Sequence, residues 1–156
     1  MTAQLQAEIK QRKPFASLEE EALLNLLRTA DVLTQGLEKV LKAYGLSPAQ
    51  YNVLRILRGS GPGGRSCREV AERMLTRDPD ITRLLDRLEA RGLVTRTRER
   101  QDRRVITTRV TRLGLALLAK LDGPAAAWHR ERLGRLGAKR LRALIELLQA
   151  VRVTSG

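Results

Sequence analysis

Apolar residues recur at three- and four-residue steps over most of this chain, a pattern that predicts a largely helical protein. The first stripe begins at the capping box Ser17-Leu18-Glu19-Glu20 and continues to about Tyr44, just before Gly45. A second helix is predicted from Ser47-Pro48 to Gly59, and the capping box Ser66-Cys67-Arg68-Glu69 begins a short third helix. The first half of the chain is therefore expected to contain one long and two shorter helices.

A fourth helix is predicted from Asp78-Pro79 to Arg91-Gly92, with Asp78 as a favourable cap and Pro79 as a favourable first residue. Arg83 and Arg87 lie one turn apart on one face, while another face consists of apolar residues at helical spacing, namely Ile81, Leu84, Leu85 and Leu88. Two short helices joined by a brief turn, the second with outward arginines, are typical of a helix-turn-helix.

After Gly92 the period changes from 3.6 to 2. Residues 93–98 and 105–110 are β-branched runs with interleaved arginine, and residues 99–104 join them, so a β-hairpin with a basic tip, a wing, is predicted. From Thr111 the helical period returns, is interrupted at Asp122-Gly123-Pro124, and ends in a last stripe that runs to Val151.

The expected fold is mainly α with a small β-hairpin: a winged helix-turn-helix with N- and C-terminal dimerisation helices. Residues 1–156 are treated as a single domain, with a winged lobe at 47–110 and helical arms at 17–44 and 112–153. The apolar stripes of the arms need to be covered, and a homodimer in which both arms of both subunits pack together does this. Packing of the arms within one subunit is the alternative.

The charge of the chain indicates its partner. A formal net charge of +13 on a chain with 42% hydrophobic residues describes a folded protein that attracts polyanions, nucleic acid first and an anionic membrane surface second. Residues 91–112 alone contain eight arginines and two acidic residues. We find no signal peptide or membrane span and only one cysteine, so we expect a cytoplasmic protein without a disulfide or a membrane partner.

Enzymatic chemistry is not indicated. The segment from Gly59 to Ser66 nearly matches a phosphate-binding loop, but Arg65 stands where that loop needs lysine and the preceding residues form a helix, so a flexible turn is expected. One histidine and one cysteine leave too few groups for acid-base or nucleophilic catalysis or for a metal site. No catalytic residue, metal or cofactor is therefore predicted.

Two segments of the chain, at this spacing from each other, resemble one protein family. Residues 81–94, followed by residues 102–111, are similar to the MarR (multiple antibiotic resistance regulator) family of bacterial winged-helix transcription factors. The family's wing pattern is D-x-R followed, after five residues, by L-T; Asp102, Arg104 and Thr111 match it, and Val110 replaces the leucine. The resemblance covers about residues 18–152. It implies an obligate dimer on a pseudo-palindromic operator of double-stranded DNA, usually a repressor that a small anionic or phenolic effector, or oxidation, releases.

The resemblance also implies roles for individual residues. Arg104 at the wing tip would enter the minor groove, and Asp102 would hold the tip in shape through an arginine partner. Arg100 and Arg103 would assist on phosphate. On the recognition helix the candidates are Thr82, with Arg83 as the base reader and Arg87 as the phosphate contact. The alternative is that these arginines only pair along the helix, for example with Asp86, or face solvent.

Two acidic residues lie at the start of the predicted recognition helix, and the base sequence of the operator depends on their role. Asp78 and Asp80 suit the helix dipole but oppose the charge of DNA. Asp80 either accepts a hydrogen bond from a cytosine amino group or caps the helix, and cap statistics favour capping.

Two further residues have competing interpretations. Cys67 lies in the first turn of a helix, where a thiolate is favoured, so a redox-sensing regulator is one interpretation and an inert small residue the favoured one. His129 beside Trp128 is interpreted as interface packing in preference to the wall of a ligand pocket.

The main competing function is that of an RNA-binding winged helix. A basic wing suits either polymer, but recognition of unpaired bases needs aromatic stacking platforms, and the wing contains no aromatic residue. Double-stranded DNA is therefore the favoured partner.

Overall fold

Residues 3–153 are described by a computed structural model, in which seven α-helices surround a small antiparallel sheet. The helices are α1 (Ala3–Glu8), α2 (Leu18–Lys42), α3 (Pro48–Ser60), α4 (Cys67–Arg73), α5 (Ile81–Ala90), α6 (Arg112–Leu133) and α7 (Gly137–Arg152). The strands are β1 (Arg65–Ser66), β2 (Val94–Arg98) and β3 (Ile106–Val110), and a 3₁₀ turn (Gly134–Leu136) joins the last two helices. The predicted mainly helical class with a winged helix-turn-helix is confirmed.

The helix starts follow the capping residues visible in the sequence. Ser17 accepts a hydrogen bond from the backbone of Glu20, and Ser47 and Ser66 each form a complete capping box. Asp80 caps α5, as favoured from the sequence, because its carboxylate accepts from the Arg83 amide at 3.0 Å. Asp78 instead accepts from the backbone of Asp80 in the preceding turn, so the helix begins two residues later than predicted.

The sheet has three strands in the order β1-β3-β2, one more than the predicted hairpin. Val94 pairs with Val110 and Arg98 with Ile106, while Arg65 and Ser66 pair with Thr108 and Thr107. The linker expected to be only a flexible turn therefore joins the wing sheet through its last two residues. Gly64 permits this approach, because its φ is +69° and a Cβ there would collide with the carbonyl oxygen of Thr108.

One apolar core unites the winged lobe with α6 and the end of α2. Its fully buried leucines come from several elements: Leu41, Leu54, Leu57, Leu85, Leu88, Leu118 and Leu121. The expected interruption at residues 122–124 is wrong, because α6 continues through Pro124. Leu121 and Ala125 on either side are buried, so tertiary packing maintains a helix that propensity alone would break.

The arms leave much apolar surface uncovered in a single chain. Only Leu41 of α2 is buried, and none of the 16 residues of α7 is. Large apolar side chains are exposed on both arms, including Leu23, Leu27, Ile145, Leu147 and Val151. The short helix α1 was not predicted; its Leu5 is buried. None of the helices described here combines the length and apolar character that a membrane span requires.

Candidate nucleic-acid interface

The recognition helix α5 is oriented by its apolar face. Leu84, Leu85 and Leu88 are buried in the core, and the cap at Asp80 fixes the first turn. This arrangement directs the other face of the helix to the surface, where Thr82, Arg83 and Arg87 are exposed. Within residues 3–153 the guanidinium groups of the two arginines make no hydrogen bond or ion pair. Asp86, the pairing partner considered from sequence, bonds to Arg96 instead.

The wing tip is closed by backbone and carboxylate contacts. The amide of Val105 donates to the carbonyl oxygen of Asp102 at 3.0 Å, and the amide of Glu99 donates to that of Val105 at 2.9 Å. The Asp102 carboxylate accepts from the amide of Arg104 at 3.0 Å and from its guanidinium Nε at 3.1 Å. These hydrogen bonds lower the pKa of Asp102, so its carboxylate stays charged beside Arg104.

The tip arginines project into solvent. The side chain of Arg104 is 92% exposed although its Nε is paired, and Arg100 and Arg103 are exposed with no side-chain partner within the described residues. Asp102 thus binds only one edge of the Arg104 guanidinium, and the N–H groups of the other edge are available to another acceptor. The tip can present three cationic side chains to a polyanion.

Other arginines of this region serve the fold. Arg96 bonds to Asp86 and Glu89 of α5, and Arg109 donates to the carbonyl oxygen of Pro62 at 3.1 Å and to Thr97 at 2.8 Å. Arg91 donates to carbonyl oxygens at the end of α2, those of Tyr44 and Gly45. The count of eight arginines therefore overstates the charge available to a partner.

Thr111 of the wing pattern has a structural role that the sequence did not specify. Its hydroxyl donates to the carbonyl oxygen of Gly92 at 2.6 Å and accepts from the amide of Gly114 at 3.1 Å, so it caps α6. Its own amide donates to the carbonyl oxygen of Leu93 at 3.0 Å. Thr111 therefore ties the end of the recognition helix to the start of α6.

Asp80 offers a test that separates capping from base recognition. Because Asn caps as well as Asp, Asp80→Asn is expected to preserve stability and to raise affinity for duplex DNA about two- to fivefold by removing one negative charge. Asp80→Ala should lower the free energy of unfolding by about 0.5–2 kcal/mol. Urea unfolding and fluorescence anisotropy with labelled duplex measure both effects. A changed base preference in Asp80→Asn would show instead that the carboxylate contacts a base.

Cys67 is half-buried at the first position of α4 and packs against the core. It is the only cysteine of the chain. Packing against apolar neighbours agrees with the favoured interpretation as a small residue, and its redox role stays a prediction.

His129 lies on the wall of a cavity. The cavity measures about 240 Å³ between α2, α3, α6 and the turn after α4, and its lining includes Leu37, Tyr51, Asn52 and Arg55. The guanidinium of Arg55 lies 5.7 Å above the Tyr51 ring centroid, and His129 meets Trp128 edge-on at 5.6 Å. The sequence-based preference for packing alone was therefore incomplete, because this histidine also faces a cavity.

The part of the chain that the structure describes holds no cluster of three or more His, Cys, Asp or Glu side chains suited to a metal ion. The side chains exposed on α5 and at the wing tip are cationic or polar, namely Thr82, Arg83, Arg87, Arg100, Arg103 and Arg104.

Comparison with known proteins agrees with this geometry. Residues 44–105 match the sequence profile described as the MarR family. The chain is similar to the HTH-type transcriptional regulator MhqR of Bacillus subtilis (strain 168), with 26% identity over 126 residues, or 81% of this chain and 86% of MhqR. The crystal structure of a MarR transcription factor from Planctomyces limnophilus is 43% identical, with a TM-score of 0.68 over 87% of this chain and 98% of that chain.

A second solved relative is the transcriptional repressor CouR. Its complex with a 23-mer DNA duplex is 30% identical to this chain, with a TM-score of 0.77 over 92% of this chain and 100% of CouR. CouR from Rhodococcus jostii RHA1 has also been crystallised with p-coumaroyl-CoA, at 26% identity and a TM-score of 0.74 over 91% of this chain and 100% of that chain.

Proposed function

This chain belongs to the MarR family, and from that membership we propose that it is a dimeric, sequence-specific regulator of transcription that binds double-stranded DNA and responds to a small ligand. MarR proteins are transcription factors and not enzymes. The observation that carries the proposal is the presence of exposed arginines on two neighbouring elements, α5 and the wing tip, in a fold similar to a repressor bound to duplex DNA. Such a regulator acts where the chromosome lies, which in a bacterium is the cytoplasm.

In the proposed complex the recognition helix contacts the major groove of the duplex and the wing tip contacts the minor groove. Arg83 and Thr82 at the start of α5 read base edges in the major groove, and Arg87 contacts phosphate. Arg104 enters the adjacent minor groove, with Asp102 as the residue that orients it. Arg100 and Arg103 contact phosphates beside the tip.

The proposed assembly is a homodimer. Two copies of the chain would bury the apolar side chains that α2 and α7 expose, and would present two identical recognition helices to half-sites about one helical turn apart. A pseudo-palindromic operator follows from that symmetry.

Selection from a random-sequence duplex pool, followed by competition, tests the DNA-binding function. We expect the protein to enrich a pseudo-palindromic duplex and to retain it when an excess of structured RNA is added at physiological salt. Equal displacement by RNA would support the RNA-binding alternative instead. A pool without any enriched sequence would contradict sequence-specific binding.

The cavity lined by Arg55, Tyr51 and His129 is the proposed effector site. A cationic side chain above an aromatic ring, with an imidazole nearby, suits a small aromatic acid or phenol. Since Asn52 and Leu75 also line the cavity, and the Leu75 amide donates to the Asn52 side chain at 2.8 Å, a ligand there would contact the turn that precedes the recognition helix.

A panel of aromatic carboxylates and phenols is expected to include a ligand that weakens operator binding about 5- to 150-fold, the usual range of allosteric coupling. The same ligand should change the fluorescence of Trp128, the chain's single tryptophan, which adjoins His129. Arg55→Gln should remove both responses. Arg58→Gln on the same helix serves as the control, because Arg58 pairs with Asp122. Equal responses in the two variants would exclude this cavity as the site.

A further inference from the structure

Arg96 of β2 is attached to the recognition helix at three points. Its backbone amide donates to Glu89 Oε2 at 2.9 Å, and its guanidinium Nη2 donates to Glu89 Oε1 at 2.9 Å and also to Asp86 Oδ1. Asp86 and Glu89 are three residues apart on α5 and so lie on one face of the helix. Both the backbone of the wing and the side chain of Arg96 are therefore bound to α5.

The burial of Arg96 separates it from the wing-tip arginines. Its side chain is 22% exposed, whereas that of Arg104 is 92% exposed. Hydrogen bonding to Arg96 lowers the pKa of Glu89, and hydrogen bonding to Glu89 raises the pKa of Arg96, so both groups remain charged over the whole physiological range. A partly buried, charge-assisted cluster of this kind fixes orientation more strongly than an exposed pair.

A second consequence of the cluster is electrostatic. Asp86 lies on α5 between Arg83 and Arg87, and its side chain is 56% exposed. An uncompensated carboxylate at that place would repel the phosphates that the two arginines approach. The guanidinium of Arg96 offsets this charge.

We propose that Arg96 is a positioning residue for DNA recognition: by clamping the wing to Asp86 and Glu89 it sets the angle between recognition helix and wing. That angle determines whether Arg104 reaches the minor groove while Arg83 occupies the neighbouring major groove. The inference rests on the proposed DNA-binding function, since it assigns the two elements to adjacent grooves of one duplex.

Arg109 provides the matched control. It is likewise a wing arginine engaged within the protein, but its partners are Pro62, Thr97 and Glu99, none of which belongs to α5. Arg109→Met therefore loosens the wing without releasing the clamp. Arg96→Met keeps the aliphatic stem and the backbone contact with Glu89, and removes the two charge-assisted contacts of the guanidinium.

A double-mutant cycle tests the clamp on a duplex that the wild-type protein selects from a random-sequence pool. In the wild-type and Arg109→Met backgrounds, Arg104→Ala should weaken binding about tenfold or more. In the Arg96→Met background the same change should cost twofold or less, because the tip no longer reaches the groove. Arg83→Ala should cost the same factor in all three backgrounds. Arg96→Lys, which keeps a charge near Glu89, should restore part of the Arg104 effect.

A merely structural Arg96 gives a different result. In that case Arg96→Met would lower the midpoint of thermal unfolding, but Arg104→Ala would reduce the affinity for the duplex by the same factor in every background. That outcome would overturn the inference. If Arg96→Met does not fold, Glu89→Gln releases the charge pair from the helix side and should give the same loss of the Arg104 effect. A wild-type protein that enriches no duplex would overturn the proposed function and the clamp together, whereas an additive cycle on a bound duplex overturns only the clamp.

Discussion

Replacing Arg104 with alanine is expected to weaken binding to every duplex, specific or not, by about tenfold or more. A hydrogen bond with a charged group is worth about 1.5–3 kcal/mol, and a minor-groove arginine contacts the most negative part of the duplex. The loss should be similar for all sequences, because the minor groove carries little sequence information. Binding should also depend less on salt: the slope of the logarithm of the association constant against the logarithm of salt concentration is negative, and its magnitude should decrease by about 0.9, the value of one phosphate contact.

Arg83→Ala is expected to differ from Arg104→Ala in its effect on specificity. A bidentate contact with a base is worth about 1–3 kcal/mol of discrimination, so preference at one base pair of each half-site should relax in addition to the loss of affinity. Anisotropy titrations with single-base variants of the selected duplex, at several salt concentrations, measure both quantities. Arg142→Ala is the control, because Arg142 is an exposed residue of α7 outside the winged lobe. Unchanged affinity in both Arg83→Ala and Arg104→Ala would refute the assigned interface.

The contribution of Asp102 can be separated from that of Arg104 by the same titration. Asp102→Asn keeps an oxygen that accepts from the Arg104 amide but removes the charge that pairs with its guanidinium. If orientation by Asp102 matters, this variant loses part of the affinity that Arg104→Ala loses. An increase in affinity would mean that the carboxylate mainly opposes the phosphates.

The parts of the fold that local rules govern were predictable from the sequence. The caps at Ser47 and Ser66 and the change of period after Gly92 each depend on residues close in the chain, and each was found where expected. Strand β1 was missed because a strand of two residues has no periodicity of its own and exists only through its pairing with β3. The continuity of α6 through Pro124 was missed for the same reason, since packing of distant residues overrides local propensity.

Sequence could not divide the arginines of the wing into those that face a partner and those that serve the fold. Arg96 and Arg104 are both arginines in a basic hairpin, and only the position of α5 distinguishes them. One signal was available: Arg96 follows buried Val94 by two residues, so the two share a face of the strand. The same period includes exposed Arg98, so only the position of the two carboxylates on α5 assigns the inward ion pair to Arg96.

A single charged substitution on the exposed apolar face of α7 is expected to separate the proposed dimer into monomers. The helix has no buried residue in one chain, and Leu147 and Val151, one turn apart, are 67% and 69% exposed. If a second copy of the chain covers this face, Leu147→Glu places a carboxylate in an apolar interface, where its burial without a partner is strongly unfavourable. Light scattering should then give the 17.5 kDa of one chain, and twice that mass for the wild type.

Loss of the dimer should reduce operator affinity far more than any single contact does. Two linked recognition units gain about 10²–10⁴ in affinity over one, so Leu147→Glu is expected to lower binding to a two-half-site duplex by a factor in that range. Binding to a duplex with one half-site should change little, because the winged lobe does not include α7. Gln149→Glu adds the same charge on another face of the helix and should leave both mass and affinity unchanged. If Leu147→Glu keeps the mass of a dimer, the interface between the subunits does not include this face of α7. If the wild-type protein is a monomer, the proposed dimer is wrong and the two half-sites bind protein independently.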